Sequence, residues 1–329
     1  MIESAAPNII RGVVEQFVRE ELSHENAQIA GAVWSMLDAG GKGLRPRITM
    51  LAALTCDANA VEDPLLASYM ELIHDDVVDN ADLRRGRDST NSVHGNRFSV
   101  LAGDYLFAWV FKKITQGYEN PIPTILAAML SDICNGEVKQ LRATGNLGLG
   151  RPAYEEIIGK KTAELFASCA EVGAIAALQR MGNPSSPALR HYPVVVALRR
   201  YGHAFGMAFQ MRDDVLDVIA DEASLGKPAG SDLRERKVTL PLILALERRD
   251  APLRALAQRV FAEPAGDGAA SVLLPQLISA LRAPQARQRA AAVIKEHEQQ
   301  ARTALADLPP SQPVSELAAL TRGLSEFSC

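Results

Sequence analysis

Aromatic side chains are scarce, at 5% of 329 residues, so the interior has to be built from Leu, Ala, Ile and Val, a mixture that favours helix. Cysteines are few: Cys56, Cys134, Cys169 and Cys329 have neither metal-ligand spacing nor a dense disulfide pattern. That scatter predicts a reduced, cytoplasmic protein in which they serve as packing residues. No excess of charge of one sign is present, and a net charge of −4 excludes a broad basic surface for nucleic acid; a polyanion site has to be local. Unbroken membrane-length apolar runs are missing too. The most apolar stretch, Ala163 to Met181, is interrupted by Glu164, Glu171 and Arg180, which predicts a buried helix and no transmembrane segment. The opening "MIESAAPNII" lacks a basic start followed by an apolar run, so no signal peptide is expected. Strand alternation is absent as well: "PVVVAL", Pro193 to Leu198, runs on into "RRYGHAFGMAFQMRDDVL", whose small and apolar residues suit a packed helix.

What is present is helical period. "NIIRGVVEQFVREEL" puts Ile9, Val13 and Phe17 on one stripe with charges opposite, as an amphipathic helix requires. Later segments repeat the pattern, broken at "DAGGKGLRP", "DANAVEDP", "GYENPIP", "TGNLGLGRP", "MGNPSSP", "LGKPAGSD", "EPAGDG" and "LPPSQP". None of these breaks has the length of an interdomain linker. The expectation is one all-α domain over residues 1–329, a bundle of roughly ten or more helices at typical helix length.

One echo crosses this pattern. "HDDVVD", His74 to Asp79, returns as "RDDVLD", Arg212 to Asp217, and each copy is followed by a cationic loop, "LRRGR" or "LGKPAGSDLRERK". On a helix, Asp75, Asp76 and Asp79 share a face one turn long, as do Asp213, Asp214 and Asp217. Like charges at these spacings destabilise an isolated helix; magnesium, which takes one or two carboxylates plus water and substrate phosphates, offsets this. A solvated acidic helix end explains one such cluster, but both lie among apolar residues, where unneutralised charge is costly. Cations between the two clusters call for a ligand rich in anionic oxygens, and a diphosphate fits, with Arg84, Arg85, Lys227 and Lys237 as direct contacts. "GGKGLRP" adds Lys42 and Arg45 for a second, metal-free anionic pocket; it lacks the spacing of a phosphate-binding P-loop.

Taken together, "GGKGLRP", "HDDVVDNADLRRGR", "GNRFSVLAGDYL", "GEVKQL", "KKTAELF", "YGHAFGMAFQMRDDVLD" and "LGKPAGSDLRERKVTLPLI" resemble the trans-isoprenyl diphosphate synthases, or polyprenyl synthetases. The resemblance covers most of residues 40–243, leaving the helices of 244–329 outside it. It implies an all-helical bundle around a deep central cavity, and a homodimer. It implies that Asp75, Asp76, Asp79, Asp213, Asp214 and Asp217 hold magnesium, three ions per active site, on an allylic diphosphate bound also by Arg84, Lys161, Lys227 and Lys237. Isopentenyl diphosphate is implied for Lys42, Arg45, His74 and Arg85, with Lys161, Thr162 and Gln210 near the reacting carbons. The implied reaction is ionisation, condensation and elimination. Taken alone, His74 reads as a satisfied histidine, Gln210 as a helix-packing group and Thr162 as bonded to its own backbone; the motif lifts them to site residues. The order "KTA" favours Lys161 over Lys160, and Asp82, Arg87, Asp104 and Glu137 read as structural partners.

Departures from the family pattern fall at Gly43, where Arg is frequent and whose replacement loosens the helix start, at Arg236, where Gly is usual before Lys237, and at the non-basic end "GLSEFSC". The segment before the first acid cluster is about six residues shorter than in long-chain relatives. Residues one or two turns before Asp75 line the product tunnel in the family, which makes Tyr69, Met70 and Glu71 chain-length candidates, beside Phe107 and Phe111. "DDVVD" without insertion resembles long-chain synthases more than bacterial farnesyl synthases, which favours a medium or long, octaprenyl-type product over farnesyl or geranylgeranyl diphosphate. Two other readings compete. A non-catalytic regulatory subunit is expected to have lost an acid cluster, and a terpene cyclase has no need of Lys42 and Arg45.

Overall fold

Helix dominates, as the composition requires. A computed structural model describes residues 43–57, 96–219, 229–248, 250–262 and 273–327, with short pieces at 16, 19–20, 66, 70, 83–84 and 87–88. In chain order the elements are α1 (Leu44–Cys56), β1 (Leu83–Arg84), β2 (Arg87–Asp88), α2 (Asn96–Gly117), α3 (Ile122–Ala143) and α4 (Arg151–Ile158). A π-helical turn (Gly159–Ala163) then leads into α5 (Glu164–Arg180), followed by α6 (Pro193–Ile219), a single turn α7 (Ser231–Arg234) and α8 (Leu240–Leu246). The chain continues with α9 (Ala251–Ala262), α10 (Leu274–Leu281), α11 (Pro284–Leu305) and α12 (Gln312–Leu320). "PVVVAL" opens α6, as expected. The fold is all-α; β1 and β2 make one antiparallel pair in which Arg84 faces Arg87.

The chain divides into two compact units of interleaved segments. The first comprises Met1–Ala128, Ser168–Arg199 and Asp307–Leu317. Here α1 and α5 touch backbone to backbone: a Cβ on Gly173 would stand 2.2 Å from the Thr49 carbonyl oxygen, so only glycine fits. Buried Glu171 is held by Arg190 Nε at 2.6 Å and Arg199 Nη1 at 2.8 Å, which gives the interrupted apolar stretch its polar satisfaction. Every residue of α5 from Leu165 to Leu178 is buried, and among the described residues no helix is long and apolar enough to cross a membrane. Gly43 precedes α1 at φ 56, a left-handed conformation that glycine adopts without steric cost. The residue expected to loosen the helix start is thus the one suited to the turn before it.

The second unit comprises Met129–Ala167, Arg200–Ala306 and Ala318–Cys329. Phe166 packs edge-on against Phe205 and Phe209, with centroids 5.2 and 5.4 Å away, and α8, apolar throughout, buries all seven of its residues. Arg236 adopts φ 57, the region where glycine is favoured and a side chain is strained. Its carbonyl accepts the Gly145 N–H at 2.9 Å, which holds the strained turn in place beside Lys237. Arg236→Gly is therefore expected to raise stability by about 0.5–1 kcal/mol, strain relief exceeding the added chain entropy; a lower denaturant midpoint than wild type would contradict this.

Candidate active site

The sequence placed its acid and base clusters; the described residues bring one set of them together in the second unit. A cleft of about 80 Å³ is lined by Gln140, Tyr154, Lys161, Gln210, Asp214, Asp232 and Lys237, with Leu149, Ile157, Ile158 and Val238 as apolar wall. Lys161 reaches it from the π turn. Such turns insert one residue into a helix and re-aim the side chains that follow. Here the two flanking helices leave room for it: a Cβ on Gly136 in α3 would lie 2.7 Å from the Lys161 amide nitrogen, and one on Gly206 in α6 would lie 2.6 Å from the Ala163 Cα.

A directed hydrogen-bond chain crosses the cleft. Thr162 donates its hydroxyl to Gln210 Oε1 at 2.8 Å, and Gln210 Nε2 donates to Asp214 Oδ1 at 2.8 Å. Tyr154 donates its phenol to Asp214 Oδ2 at 2.6 Å. Thr162 thus bonds a side chain on α6, not its own helix backbone, and the orientation of the Gln210 amide is fixed by a hydroxyl on one side and a carboxyl on the other. Both Asp214 oxygens are engaged and the residue is buried. Burial, and next the repulsion from Asp232, push its carboxyl up to about 8 against the hydrogen bonds from Tyr154 and Gln210. Burial, then the Asp214 charge, drives the Tyr154 phenol well above its ordinary value, so it stays a donor.

The second acid cluster therefore divides by environment. Asp213 is half-buried on the last turns of α6. Asp217 is buried and accepts the Asp232 N–H on Oδ2 at 3.1 Å, while its carbonyl accepts the Gly230 N–H at 2.7 Å; it ties α6 to the turn α7. Asp232 and Asp213 both repel the Asp214 carboxyl, a local excess of negative charge that a hard divalent cation with oxygen ligands would relieve. Among the described residues no three His, Cys, Asp or Glu side chains are gathered to hold an ion by themselves, so a bound ion here draws on other carboxylates or on substrate phosphate.

Of the basic residues, Lys161 pairs with Glu137 at 2.6 Å and bonds Gln140 Oε1 at 3.0 Å, whereas Lys160 turns to Asp132 at 2.6 Å and does not line the cleft. Lys237 lies 2.6 Å from Glu235. In the first unit Arg45 is half-buried in the opening turn of α1, and Arg84 is fixed by backbone pairing in β1. Met70 is fully buried, and Phe107, exposed, stacks on Phe111 with centroids 5.0 Å apart. Lys42, Tyr69, Glu71, His74, Asp75, Asp76, Asp79, Arg85 and Lys227 lie outside the described residues. Tyr154, Gln140 and Asp232 were not singled out in the sequence. Asp232 stood inside a quoted motif, but Tyr154, in "RPAYEEII", carries only the signal of a buried helix face.

The chain is similar to known proteins over most of its length. A family model described as Polyprenyl synthetase matches residues 26–272. The chain is 36% identical over 239 residues to heptaprenyl diphosphate synthase component 2 of Geobacillus stearothermophilus, covering 71% of each chain. It is 36% identical over 256 residues to an all-trans-nonaprenyl-diphosphate synthase (geranyl-diphosphate specific) of Rhodobacter capsulatus, covering 76% of this chain and 75% of that one. Other relatives carry names from short-chain and geranylgeranyl to octaprenyl synthase. Among solved structures, a polyprenyl synthase from Caulobacter crescentus complexed with calcium and isoprenyl diphosphate superposes with a TM-score of 0.85 at 32% identity, covering 97% of this chain and 95% of that one.

Proposed function

The chain belongs to the polyprenyl synthetase family, and on that premise we propose that it condenses isopentenyl diphosphate with an allylic diphosphate to a medium or long trans-polyprenyl diphosphate, octaprenyl-type. It is a prenyl diphosphate synthase, a transferase. The observation that carries the reading is the cleft lined together by Lys161, Lys237, Gln210, Asp214 and Asp232: cations for a diphosphate, carboxyls for its counterions, and an amide for the reacting carbon.

In this reading the allylic diphosphate is gripped by Lys161, Lys237, Lys227 and Arg84. Magnesium ions, three per site, would be held by Asp213, Asp214 and Asp217 of the second cluster with Asp75, Asp76 and Asp79 of the first; when bound they supply neutralisation of the departing diphosphate. Lys42, Arg45, His74 and Arg85 hold isopentenyl diphosphate. As the allylic C–O bond breaks, the oxygens of Gln210 and Thr162 stabilise the positive carbon. The double bond of isopentenyl diphosphate attacks that carbon, and the proton lost in elimination passes to the released diphosphate, so no dedicated protein base is required. Radiolabelled isopentenyl diphosphate is expected to enter a lipid product with an allylic primer and magnesium. No incorporation with any primer from dimethylallyl to geranylgeranyl diphosphate would sink the reading. Turnover only after a second protein is added would favour a heteromeric synthase, an arrangement the name "component 2" of one relative brings forward.

For product length, relatives named heptaprenyl and nonaprenyl synthase, each at 36% identity, support a long chain, with farnesyl or geranylgeranyl diphosphate as the alternative. Of the candidates Tyr69, Met70 and Glu71 for the tunnel floor, Met70 lies within the described residues and is fully buried. Met70→Ala is expected to lengthen the product by one or more five-carbon units, read by chromatography; an unchanged carbon number would remove Met70 from that role.

The enzyme is proposed to act in the cytoplasm as a homodimer of one domain spanning residues 1–329. Support for the dimer comes from α3, where Cys134, Val138 and Leu141 fall on one face, the last two 45% and 72% exposed. Cys134 is thus a surface thiol and not the packing residue expected. Cys169 is buried, and burial followed by the neighbouring Asp57 pushes the Cys56 thiol up to about 12. At pH 8, alkylation is expected to spare Cys56 and Cys169 throughout, and to reach Cys134 only on dilution to monomer. Labelling of Cys134 at the same rate at all protein concentrations would count against a dimer through this face.

A further inference from the structure

Glu137 sits where a diphosphate site can least tolerate a carboxylate. Its Oε1 lies 2.6 Å from the Lys161 ammonium, and both side chains of the pair are about four-fifths buried, so water screens the pair less than one on an open surface. Gln140, one turn along α3, accepts a hydrogen bond from the same ammonium at 3.0 Å. The approach is set by the backbone: with a Cβ at Gly136, immediately before Glu137, the contact to the Lys161 amide nitrogen would be 2.7 Å and to Lys160 Cβ 3.1 Å. Only glycine lets α3 and the π turn come together closely enough for this pairing.

We propose that Glu137 is an affinity-setting residue, an internal anion that competes with the substrate diphosphate for Lys161; this rests on Lys161 being a diphosphate ligand, as proposed above. Among the described residues the ammonium is engaged by one carboxylate and one amide oxygen, which leaves one of its three N–H groups for phosphate. A diphosphate that draws on Lys161 either shares it with Glu137 and is repelled, or displaces Glu137 into a partly buried position without its partner. Both routes weaken binding of a polyanion. The same repulsion acts on the inorganic diphosphate left after condensation and speeds its departure. Gln140, being neutral, steadies Lys161 without opposing the ligand.

The sign of the effect separates this role from a structural one, because replacing a merely structural carboxylate weakens binding or the fold, whereas replacing Glu137 tightens binding. Inorganic diphosphate titrated with MgCl2 into wild type and Glu137→Gln by calorimetry is expected to bind the variant about tenfold more tightly, the size of one hydrogen bond to a charged group. The KM for farnesyl diphosphate is expected to fall in step, and the gain is expected to vanish when Lys161→Ala is added. Unchanged or weaker diphosphate binding by a folded Glu137→Gln protein overturns the proposal, as does a gain that survives in the Lys161→Ala background. If Glu137→Gln does not fold, Glu137→Asp, which keeps the charge but draws it back by one methylene, asks the same question: tighter binding supports the proposal, equal or weaker binding overturns it. Failure of the wild type to transfer prenyl groups would instead strike the proposed function, and the diphosphate titration would remain readable without it.

Discussion

Asp213→Asn is expected to lower kcat by about 10²- to 10³-fold, the loss associated with removing one group that stabilises charge developing in the transition state. The expectation follows from the division within the second acid cluster. Asp214 has both oxygens engaged by Tyr154 and Gln210, and Asp217 accepts a backbone N–H from the turn α7. Half-buried Asp213 is the most accessible of the three and is the member expected to carry an ion and with it the substrate diphosphate. The contrast is Asp217→Ala, which removes the acceptor of the partly buried Asp232 N–H and is expected to lower stability by about 1–2 kcal/mol, toward the low end of the cost of an unsatisfied donor, with a smaller effect on kcat. Turnover at saturating substrates, paired with denaturant unfolding of each variant, makes the comparison. Equal losses of kcat at both positions, or less than a tenfold loss at Asp213, would show that the cluster does not divide this way.

The second large effect is on the fold. Gly202 lies against α5 so closely that an added Cβ would stand 2.4 Å from the Phe166 carbonyl oxygen and 2.9 Å from the Ala167 Cα. Because these are backbone atoms, no rotamer change makes room, and α6 has to move. Gly202→Ala is therefore expected to cost about 2–4 kcal/mol despite the better helix propensity of alanine. The strain would fall on the contact that sets the π turn beside α6, so activity is expected to drop along with the denaturation midpoint. A variant as stable as wild type would mean that the two helices separate freely at this point. Arg236→Gly provides the opposite case in the same unit, a substitution expected to stabilise because the backbone already adopts a glycine conformation.

The part of the candidate site that the described residues gather in one cleft was legible because its chemistry is written in local patterns. Repeated Asp spacing, the paired Lys of "KKTA" and the Gly-rich turns each need only a few consecutive residues to be recognised, and the helical period followed from composition. Other features were not legible. Thr162 read as a residue bonded to its own helix until the structure placed its hydroxyl on Gln210, 48 positions away along the chain. Tyr154 read as core, and it is core, but its phenol closes on Asp214. Glu137 read as a structural partner; that its partner is the cleft-lining Lys161, and not Lys160, depends on the π turn rotating the two lysines apart. No periodicity signals a π turn, since it arises where Gly136 and Gly206 let neighbouring helices crowd the backbone.

The sequence by itself determined the helical class, the residue types of the diphosphate chemistry and the family. Helix propensity and motif spacing are properties of neighbouring residues, and they survive without any knowledge of where the chain goes. Only the tertiary structure decided which Asp of the second cluster is buried and which half-buried, which Lys reaches the cleft, and which side chain pairs with it there. Those outcomes depend on burial and on partners distant in sequence, and a carboxylate's role is set by the donors and charges that folding brings within hydrogen-bond reach of it.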